Sequence, residues 1–146
     1  MAKKVGEHIT LDIIGTKKEY TPSFFEKLVY KIAKRAKVTV LEISKHKFEP
    51  QGFTLVALLA ESHISFHTFP EKGIISFDFF TCGKVSPSIA IEILKKEIEH
   101  KRIIKKEFNR DTITLYDDIY SSPGLKKYYI VNNILEDFTS KAGQHI

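Results

Sequence analysis

Three strand-like segments in close succession constrain the fold of this chain more than any other feature. Phe53 to Ala60 is a short apolar run, and Ser62 to Thr68 and Ile74 to Phe80 are rich in β-branched and aromatic residues. Pro70 to Gly73, which connects the last two, consists of turn-forming residues. Segments joined this closely pair as hairpins, so the middle of the chain predicts an antiparallel sheet.

The flanking segments add further strands and two helices. Gly6 to Ile14, Val38 to Ile43 and Arg102 to Phe108 are strand-like, while Thr21-Pro22 and Ser86-Pro87 are typical of helix starts. The predicted apolar stripes of the two helices are Phe24, Phe25, Leu28, Val29, Ile32 and Ala33, and then Ala90, Ile91, Leu94 and Ile98. The order β-α-β-β-β-β-α-β predicts an α+β two-layer sandwich, with both helices on one face of a mostly antiparallel sheet.

Composition narrows the class of protein. With 146 residues, 42% of them hydrophobic, the chain suits one domain, which we assign to residues 1–108. Residues 109–125 resemble a linker, so 109–146 are expected to form a linker and tail. The net charge of +5 is spread over Lys/Glu-rich helix faces, which does not favour a nucleic-acid partner. We find neither a secretion signal nor an apolar run of membrane-spanning length, and therefore expect a cytoplasmic protein without a membrane partner.

Nucleophilic and proton-transferring side chains are concentrated between Glu61 and Cys82. Ser62 follows Glu61, His67 lies five residues further on, and the single cysteine follows the next predicted strand. Hydroxyl, imidazole and thiol groups supply most nucleophiles and proton carriers, so this crowding predicts an active site. Strict alternation places Ser62 and His67 on opposite faces of an ideal strand, so a bend or a chain break is needed for them to meet.

Each of these residues also has a plain structural interpretation. Taken alone, Cys82 is more typical of a buried apolar thiol, Phe48 and Phe69 of core packing, and Glu71 of a turn carboxylate. One zinc ligand set to consider consists of His46, His63, His67 and Cys82. Because a strand-borne histidine pair without a closing ligand pattern is a weak zinc signal, we predict no metal site.

Several spaced motifs lie along the chain, namely Gly6-Glu7-His8, His46-Lys47-Phe48, Pro50-Gln51-Gly52-Phe53-Thr54, Glu61-Ser62-His63, His67-Thr68-Phe69-Pro70-Glu71 and Phe80-Thr81-Cys82-Gly83. In residue types and in order, over residues 6–108, they resemble those of the prokaryotic S-adenosylmethionine decarboxylases, pyruvoyl-dependent enzymes of polyamine synthesis. The resemblance implies that the Ser62 hydroxyl attacks the Glu61 carbonyl, that the chain is cut between the two residues, and that Ser62 becomes a pyruvoyl cofactor.

The same resemblance implies roles for three more residues. His67 matches the histidine that moves a proton during processing, and Thr54 matches a hydroxyl residue that steadies the acyl-shift intermediate. In turnover, the pyruvoyl ketone condenses with the substrate amine as a Schiff base and draws electrons as carbon dioxide leaves. Cys82 matches the cysteine that then reprotonates the product carbon.

Substrate and assembly are implied in the same way. Phe48 and Phe69 match aromatic positions around the adenine of S-adenosylmethionine, and Glu71 matches the carboxylate that binds its ribose. Since Phe69 stands where the family commonly has tryptophan, arginine or ornithine are alternative substrates. A non-catalytic dimerisation domain of a polyamine synthase is a further alternative. Family members are dimers of cleaved protomers, so we expect a homodimer, with sheets paired edge to edge.

The segment Tyr128–Ile146 resembles the opening of aminopropyltransferases such as spermidine synthase. This short likeness implies the start of a truncated aminopropyltransferase domain fused to the decarboxylase-like domain. The alternative is a family-specific tail that packs as an extra strand or a fold-back arm.

Overall fold

The computed structural model describes residues 3–82, 84–112, 128–131 and 134–137. Val5–Arg110 form one unit, and Met1–Lys4 with Asp111–Ile146 form a second. The elements are β1 (Lys3–Ile14), α1 (Pro22–Ala36), β2 (Val40–Lys47), β3 (Phe53–Leu59), β4 (Ser62–Phe69), β5 (Ile74–Thr81), α2 (Ile89–Glu97), β6 (Arg102–Thr112), β7 (Tyr128–Val131) and β8 (Ile134–Asp137). The predicted order of strands and helices is confirmed from β1 to β6.

Six strands form one sheet in the order β2-β3-β4-β5-β1-β6. The pairs β1–β5, β2–β3, β3–β4 and β4–β5 are antiparallel. Phe66 of β4 lies opposite Leu55 of β3 and Phe77 of β5, and all three side chains belong to the apolar core that both helices share. The predicted α+β two-layer sandwich is therefore confirmed.

A row of phenylalanine rings links α1 to the central strands. The Phe25 ring centroid lies 5.6 Å from that of Phe53 and 5.1 Å from that of Phe66, which lies 4.9 Å from that of Phe77. Burying each ring contributes about 1.5–3 kcal/mol, and a ring pair adds about 1 kcal/mol. This packing fixes one face of β3, β4 and β5, and with it the direction in which the opposite face points.

The start of α1 agrees with the prediction, whereas the start of α2 does not. Thr21 caps α1, since its hydroxyl accepts a hydrogen bond from the Phe24 N–H at 3.2 Å, as predicted. The second helix begins two residues later than predicted, with Ser88 rather than Ser86 at its N-cap position. The Ser86 hydroxyl instead accepts a hydrogen bond from the Ser88 N–H. Ile93 is buried on the core side of α2, whereas the predicted Ile91 is only half-buried against the core.

Strand ends differ from the prediction at two edges of the sheet. Strand β2 begins two residues later than predicted and runs on to Lys47, four residues beyond the predicted end at Ile43. Strand β6 continues from Phe108 to Thr112, so the predicted linker starts as strand. Both are edge strands, where exposed polar side chains hide the alternation on which the prediction depends.

Part of the predicted tail forms a hairpin of its own. Strands β7 and β8 are antiparallel, with Tyr128 opposite Asp137 and Val131 opposite Ile134. The rest of the predicted linker and tail, residues 113–127, 132–133 and 138–146, lies outside the described residues. Among the helices that the structure describes, none has the length and hydropathy needed to cross a membrane.

Thr21→Ala is expected to lower the free energy of unfolding by about 1 kcal/mol, because the Phe24 N–H loses its capping acceptor. Ser23→Ala, at an exposed position in the first turn of α1, is the matched control and is expected to stay within about 0.5 kcal/mol of the parent. Urea unfolding in a Ser62→Ala background, chosen to keep the chain in one piece, measures both. Equal losses in the two variants would count against the cap.

Candidate active site

The face of the sheet opposite the apolar core carries most of the polar side chains of the central strands. We call it the open face. Alternation along β1, β3, β4 and β5 assigns to it His8, Thr10, Asp12, Thr54, Val56, Leu58, His63, Ser65, His67, Ser76, Asp78 and Phe80. Four of its side chains form a hydrogen-bonded cluster, and two others form a separate pair on β3 and β4.

The cluster gathers two histidines around one carboxylate. Asp78 Oδ2 lies 2.7 Å from His8 Nε2 and 2.9 Å from His63 Nε2, while the Ser65 hydroxyl donates a hydrogen bond to Asp78 Oδ1. Burial alone raises the pKa of Asp78, but the hydrogen bonds from Ser65, His63 and His8 together outweigh it and hold that pKa below the ordinary value of 3.8. Asp78 is therefore an anion at neutral pH.

The separate pair joins two residues predicted to act in processing. Thr54 and His67 lie opposite each other on β3 and β4, and the Thr54 hydroxyl oxygen is 3.0 Å from His67 Nδ1. A hydroxyl bonded to one ring nitrogen orients the ring and leaves the other nitrogen for proton transfer.

Ser62 begins β4 directly after the two-residue turn Ala60-Glu61. Its side chain is 8% exposed and lies on the core side with Ile64 and Phe66, and its hydroxyl donates a hydrogen bond to the Ala60 carbonyl at 3.3 Å. Glu61 is exposed and has φ +61°, a left-handed conformation that costs a non-glycine residue about 1–2 kcal/mol. The Glu61-Ser62 peptide therefore lies at a strained, accessible turn.

The structure does not bring Ser62 and His67 together within one chain. They lie on opposite faces of β4, and the five-residue step between them spans about 16 Å of strand. No bend of the kind considered from the sequence interrupts β4, which pairs continuously with β3 from Ser62 to Thr68.

Cys82 lies at the same end of the sheet as Ser62. It follows β5, whose Phe80 pairs with His63, the residue after Ser62. The thiol is exposed and free, in contrast to the buried thiol that the plain structural interpretation of the sequence favoured. Proximity of an exposed thiol to the start of β4 suits a proton donor that acts at that end.

Phe48, Phe69 and Glu71 lie at the other end of β4. Phe48 follows β2, Phe69 ends β4, and Glu71 lies in the one-turn 3-10 helix Pro70–Lys72. Both aromatic side chains are well exposed, at 47% and 38%, so neither serves as core packing. About 23 Å of strand separates Phe69 from Ser62, and the predicted site residues therefore fall into two groups at opposite ends of the sheet.

A cavity of about 440 Å³ adjoins the Phe69 end. Its lining includes Lys47, Thr68 and Pro70, which are sequence neighbours of Phe48 and Phe69, together with the first residues of α1. The predicted site residues themselves do not line it, neither Ser62 and Cys82 nor Phe48, Phe69 and Glu71. The cavity therefore lies near the predicted substrate-binding residues without being formed by them.

Sequence reasoning missed His8, Ser65 and Asp78 as members of a site. Their signal was present in the two-residue spacing of His63, Ser65 and His67 along β4, which marks one polar face. The sequence does not give the register between neighbouring strands, so the contact between His8 and Asp78 could not be predicted. The zinc ligand set considered from the sequence is not assembled, because His63 turns to Asp78 and His67 to Thr54.

Comparison with known proteins gives consistent matches. A family model described as S-adenosylmethionine decarboxylase matches residues 7–111. An S-adenosylmethionine decarboxylase proenzyme of Prochlorococcus marinus (strain MIT 9313) is 42% identical over 111 residues, covering 74% of this chain and 89% of the relative. One from Methanococcus maripaludis (strain C7) is 37% identical over 114 residues, covering 76% and 93%.

A solved structure agrees with these relatives. The crystal structure of the adenosylmethionine decarboxylase from Aquifex aeolicus VF5 is similar, with a TM-score of 0.68 and 33% sequence identity. The match covers 76% of this chain and 94% of that chain. These names do not favour the alternatives of an arginine or ornithine decarboxylase or of a non-catalytic domain.

Asp78→Asn is expected to flatten the acid dependence of stability. Because the folded-state pKa of Asp78 is depressed, its stabilising contribution is fully present above the unfolded-state value near 3.8 and is lost as the pH falls through the folded-state pKa. At neutral pH the variant should lose on the order of 1 kcal/mol, allowing for partial exposure. Urea unfolding between about pH 3 and 7 in the Ser62→Ala background measures both effects.

The matched control is Asp12→Asn. Asp12 is an acidic residue of the same face and accepts a hydrogen bond from Ser76 at 3.0 Å, outside the cluster. If Asp78→Asn keeps the parent's acid dependence, the hydrogen bonds of the cluster do not stabilise the Asp78 anion.

Proposed function

Because the chain belongs to the S-adenosylmethionine decarboxylase family, we propose that it cuts itself between Glu61 and Ser62 and then decarboxylates S-adenosylmethionine. The observation that carries this proposal is the hydroxyl of Ser62 directly after an exposed Glu61 in a left-handed turn. Relatives named as proenzymes support a processing step. The product would supply the aminopropyl donor for spermidine synthesis.

The cleavage chemistry requires only this turn and a proton carrier. Attack of Ser62 Oγ on the Glu61 carbonyl carbon replaces the amide with an ester, and removal of the Ser62 α-proton expels Glu61 as a carboxylate. The dehydroalanine left behind takes up water and releases ammonia, which leaves a pyruvoyl group. The left-handed conformation of Glu61 favours the cleaving step, because strain stored in the uncut turn is released when the chain is cut.

The fold tolerates a cut at this position. Residues 1–61 would contribute β1, β2 and β3, and residues 62–146 would contribute β4, β5 and β6. In the sheet, β3 pairs with β4, and β1 lies between β5 and β6, so the two fragments interleave. Sheet hydrogen bonds and the shared core would hold them together after the peptide bond is lost.

Turnover would use the residues at both ends of β4. A pyruvoyl group at residue 62 supplies an electron sink for loss of carbon dioxide. Cys82, exposed at the same end, would donate the proton that replaces the carboxyl group. Phe48 and Phe69 would stack on the adenine, and Glu71 would accept hydrogen bonds from the ribose hydroxyls.

We infer that the complete site forms between two copies of the chain. Within one chain, Ser62 and Cys82 are separated from His67, Phe69 and Glu71 by most of the length of β4. A two-fold axis across paired open faces would bring one end of β4 to the opposite end in the partner. Ser62 would then have to turn out from the core side of the strand, where its hydroxyl now bonds the Ala60 carbonyl. Val56 and Leu58, 42% and 51% exposed, give this face apolar area to bury. This pairing replaces the edge-to-edge arrangement expected from the sequence.

Two finer assignments complete the proposal. The exposed, free Cys82 is consistent with action in a reducing cytoplasm. The segment Tyr128–Ile146 would be the start of an aminopropyltransferase-like domain, of which the β7–β8 hairpin is the described part.

Co-expression of Ser62→Ala and His67→Ala chains is expected to restore cleavage that neither variant performs alone. In a mixed dimer, the intact His67 of the Ser62→Ala chain would process Ser62 of the partner subunit. Intact mass should then show fragments 1–61 and 62–146 from the His67→Ala chain only.

A His46→Ala chain is the matched control, since His46 is an exposed histidine of β2, and this variant should be cut when it is expressed on its own. No fragment in the mixture, together with normal cutting of the parent, would overturn processing between subunits. Cutting of the His67→Ala chain alone would remove His67 from the mechanism.

Cys82→Ala is expected to be cut but to release carbon dioxide from carboxyl-labelled S-adenosylmethionine at least about 100-fold more slowly, because the proton donor is lost. Lys84→Ala, an exposed change two residues away, should leave both reactions near the parent's values. Equal losses of cleavage and turnover in Cys82→Ala would contradict a role confined to turnover. Uncut parent protein that lacks a carbonyl reactive toward hydroxylamine would refute the enzymatic proposal itself.

A further inference from the structure

The proposed reaction leaves the cluster of His8, His63, Asp78 and Ser65 without a role. Its members come from three strands, β1, β4 and β5, that lie side by side in the sheet. We propose that His8, His63 and Asp78 bind one divalent transition-metal ion of the zinc class, which links the three strands on the open face.

The ligand atoms are of the right kind and already converge. His8 Nε2, His63 Nε2 and an Asp78 carboxylate oxygen all lie within 4.8 Å of one another. Two imidazoles and a carboxylate suit zinc and similar divalent ions, which bind such atoms at about 2.0–2.2 Å. At these bond lengths, tetrahedral ligand atoms stand about 3.4 Å apart. The present contacts of 2.7 and 2.9 Å to Asp78 Oδ2 need to open by about 0.5 to 0.7 Å to admit the ion.

The backbone holds these ligands in place before any ion binds. Phe80 of β5 lies opposite both His8 of β1 and His63 of β4, so the two histidines flank one position of the central strand. Asp78 projects from the same face of β5, two residues away. The apolar core fixes the opposite face of all three strands, so the ligand positions are preorganised.

The surroundings complete a metal site in two respects. Ser65 donates a hydrogen bond to Asp78 Oδ1, which orients the carboxylate and leaves Oδ2 directed at both imidazoles. In a single protomer the three ligands keep between 21% and 38% of their side chains exposed, so an ion can enter before the open faces pair, and a water molecule can take the fourth position. This differs from the ligand set considered in the sequence, which shares only His63 with it.

Titration of the purified, chelator-treated protein with Zn²⁺ tests the proposal by calorimetry, and Co²⁺ reports ligand type through its visible spectrum. We expect one ion per protomer. His8→Gln and Asp78→Asn should each weaken binding by about 100-fold, since each removes one of three ligands, and Ser65→Ala by about 10-fold, since it removes only the group that orients Asp78. Circular dichroism establishes that each variant is folded.

His46→Gln is the matched control, because His46 is an exposed histidine on β2 outside the cluster, and Cys82→Ser tests the exposed thiol as an alternative ligand. Both should bind Zn²⁺ as the parent does. No stoichiometric binding by the parent, or binding that survives His8→Gln but is lost in Cys82→Ser, would overturn the proposal. The experiment measures metal binding alone, so a failure of the metal-site proposal can be told apart from a failure of the proposed decarboxylase activity.

Discussion

Pairing of β4 on both edges is the constraint from which the other features of the structure follow. Its hydrogen bonds to β3 and β5 fix the register of the central sheet, and the two-residue period then assigns every side chain to one of two faces. Phe66 and Ile64 lie in the apolar core, so His63 and His67, which alternate with them along β4, lie on the open face. A one-residue slip would exchange the two sets and place imidazoles in the core, so core packing enforces the arrangement of the polar face.

The same register separates the proposed reaction into two halves. Ser62 begins β4 and Phe69 ends it, and a paired strand cannot fold back to bring its ends together. In the proposed reaction one end of β4 therefore serves cleavage and the other serves recognition, and neither is complete within one chain. In the proposed dimer, antiparallel pairing of two open faces would supply the missing half to both ends at once.

The sequence predicted the fold because the informative segments are the ones with a buried face. The alternation in β4 and β5 and the cap of α1 at Thr21 were readable, since burial on one side imposes a pattern on the sequence. The ends of the edge strands β2 and β6 could not be predicted, because these strands border solvent along one edge and carry exposed polar side chains that hide the alternation. Ser62 and Cys82 were recognisable only as residue types in a motif, whereas Asp78 could not be linked to His8, which lies 70 residues away in the chain.

Stability alone does not account for Asp78. Burial raises the pKa of this carboxyl, and hydrogen bonds from Ser65, His63 and His8 lower it, on a face where apolar side chains such as Val56 are also accommodated. Replacing charged networks with apolar residues is often neutral or stabilising, so the stability of the sheet does not by itself require this cluster. Because the core already immobilises β1, β4 and β5, the cluster can receive an ion with little reorganisation. In the proposed face-to-face dimer, the cluster would also be shielded from water. A divalent ion bound there would strengthen the attachment of β4, in fragment 62–146, to β1, in fragment 1–61 of the same chain.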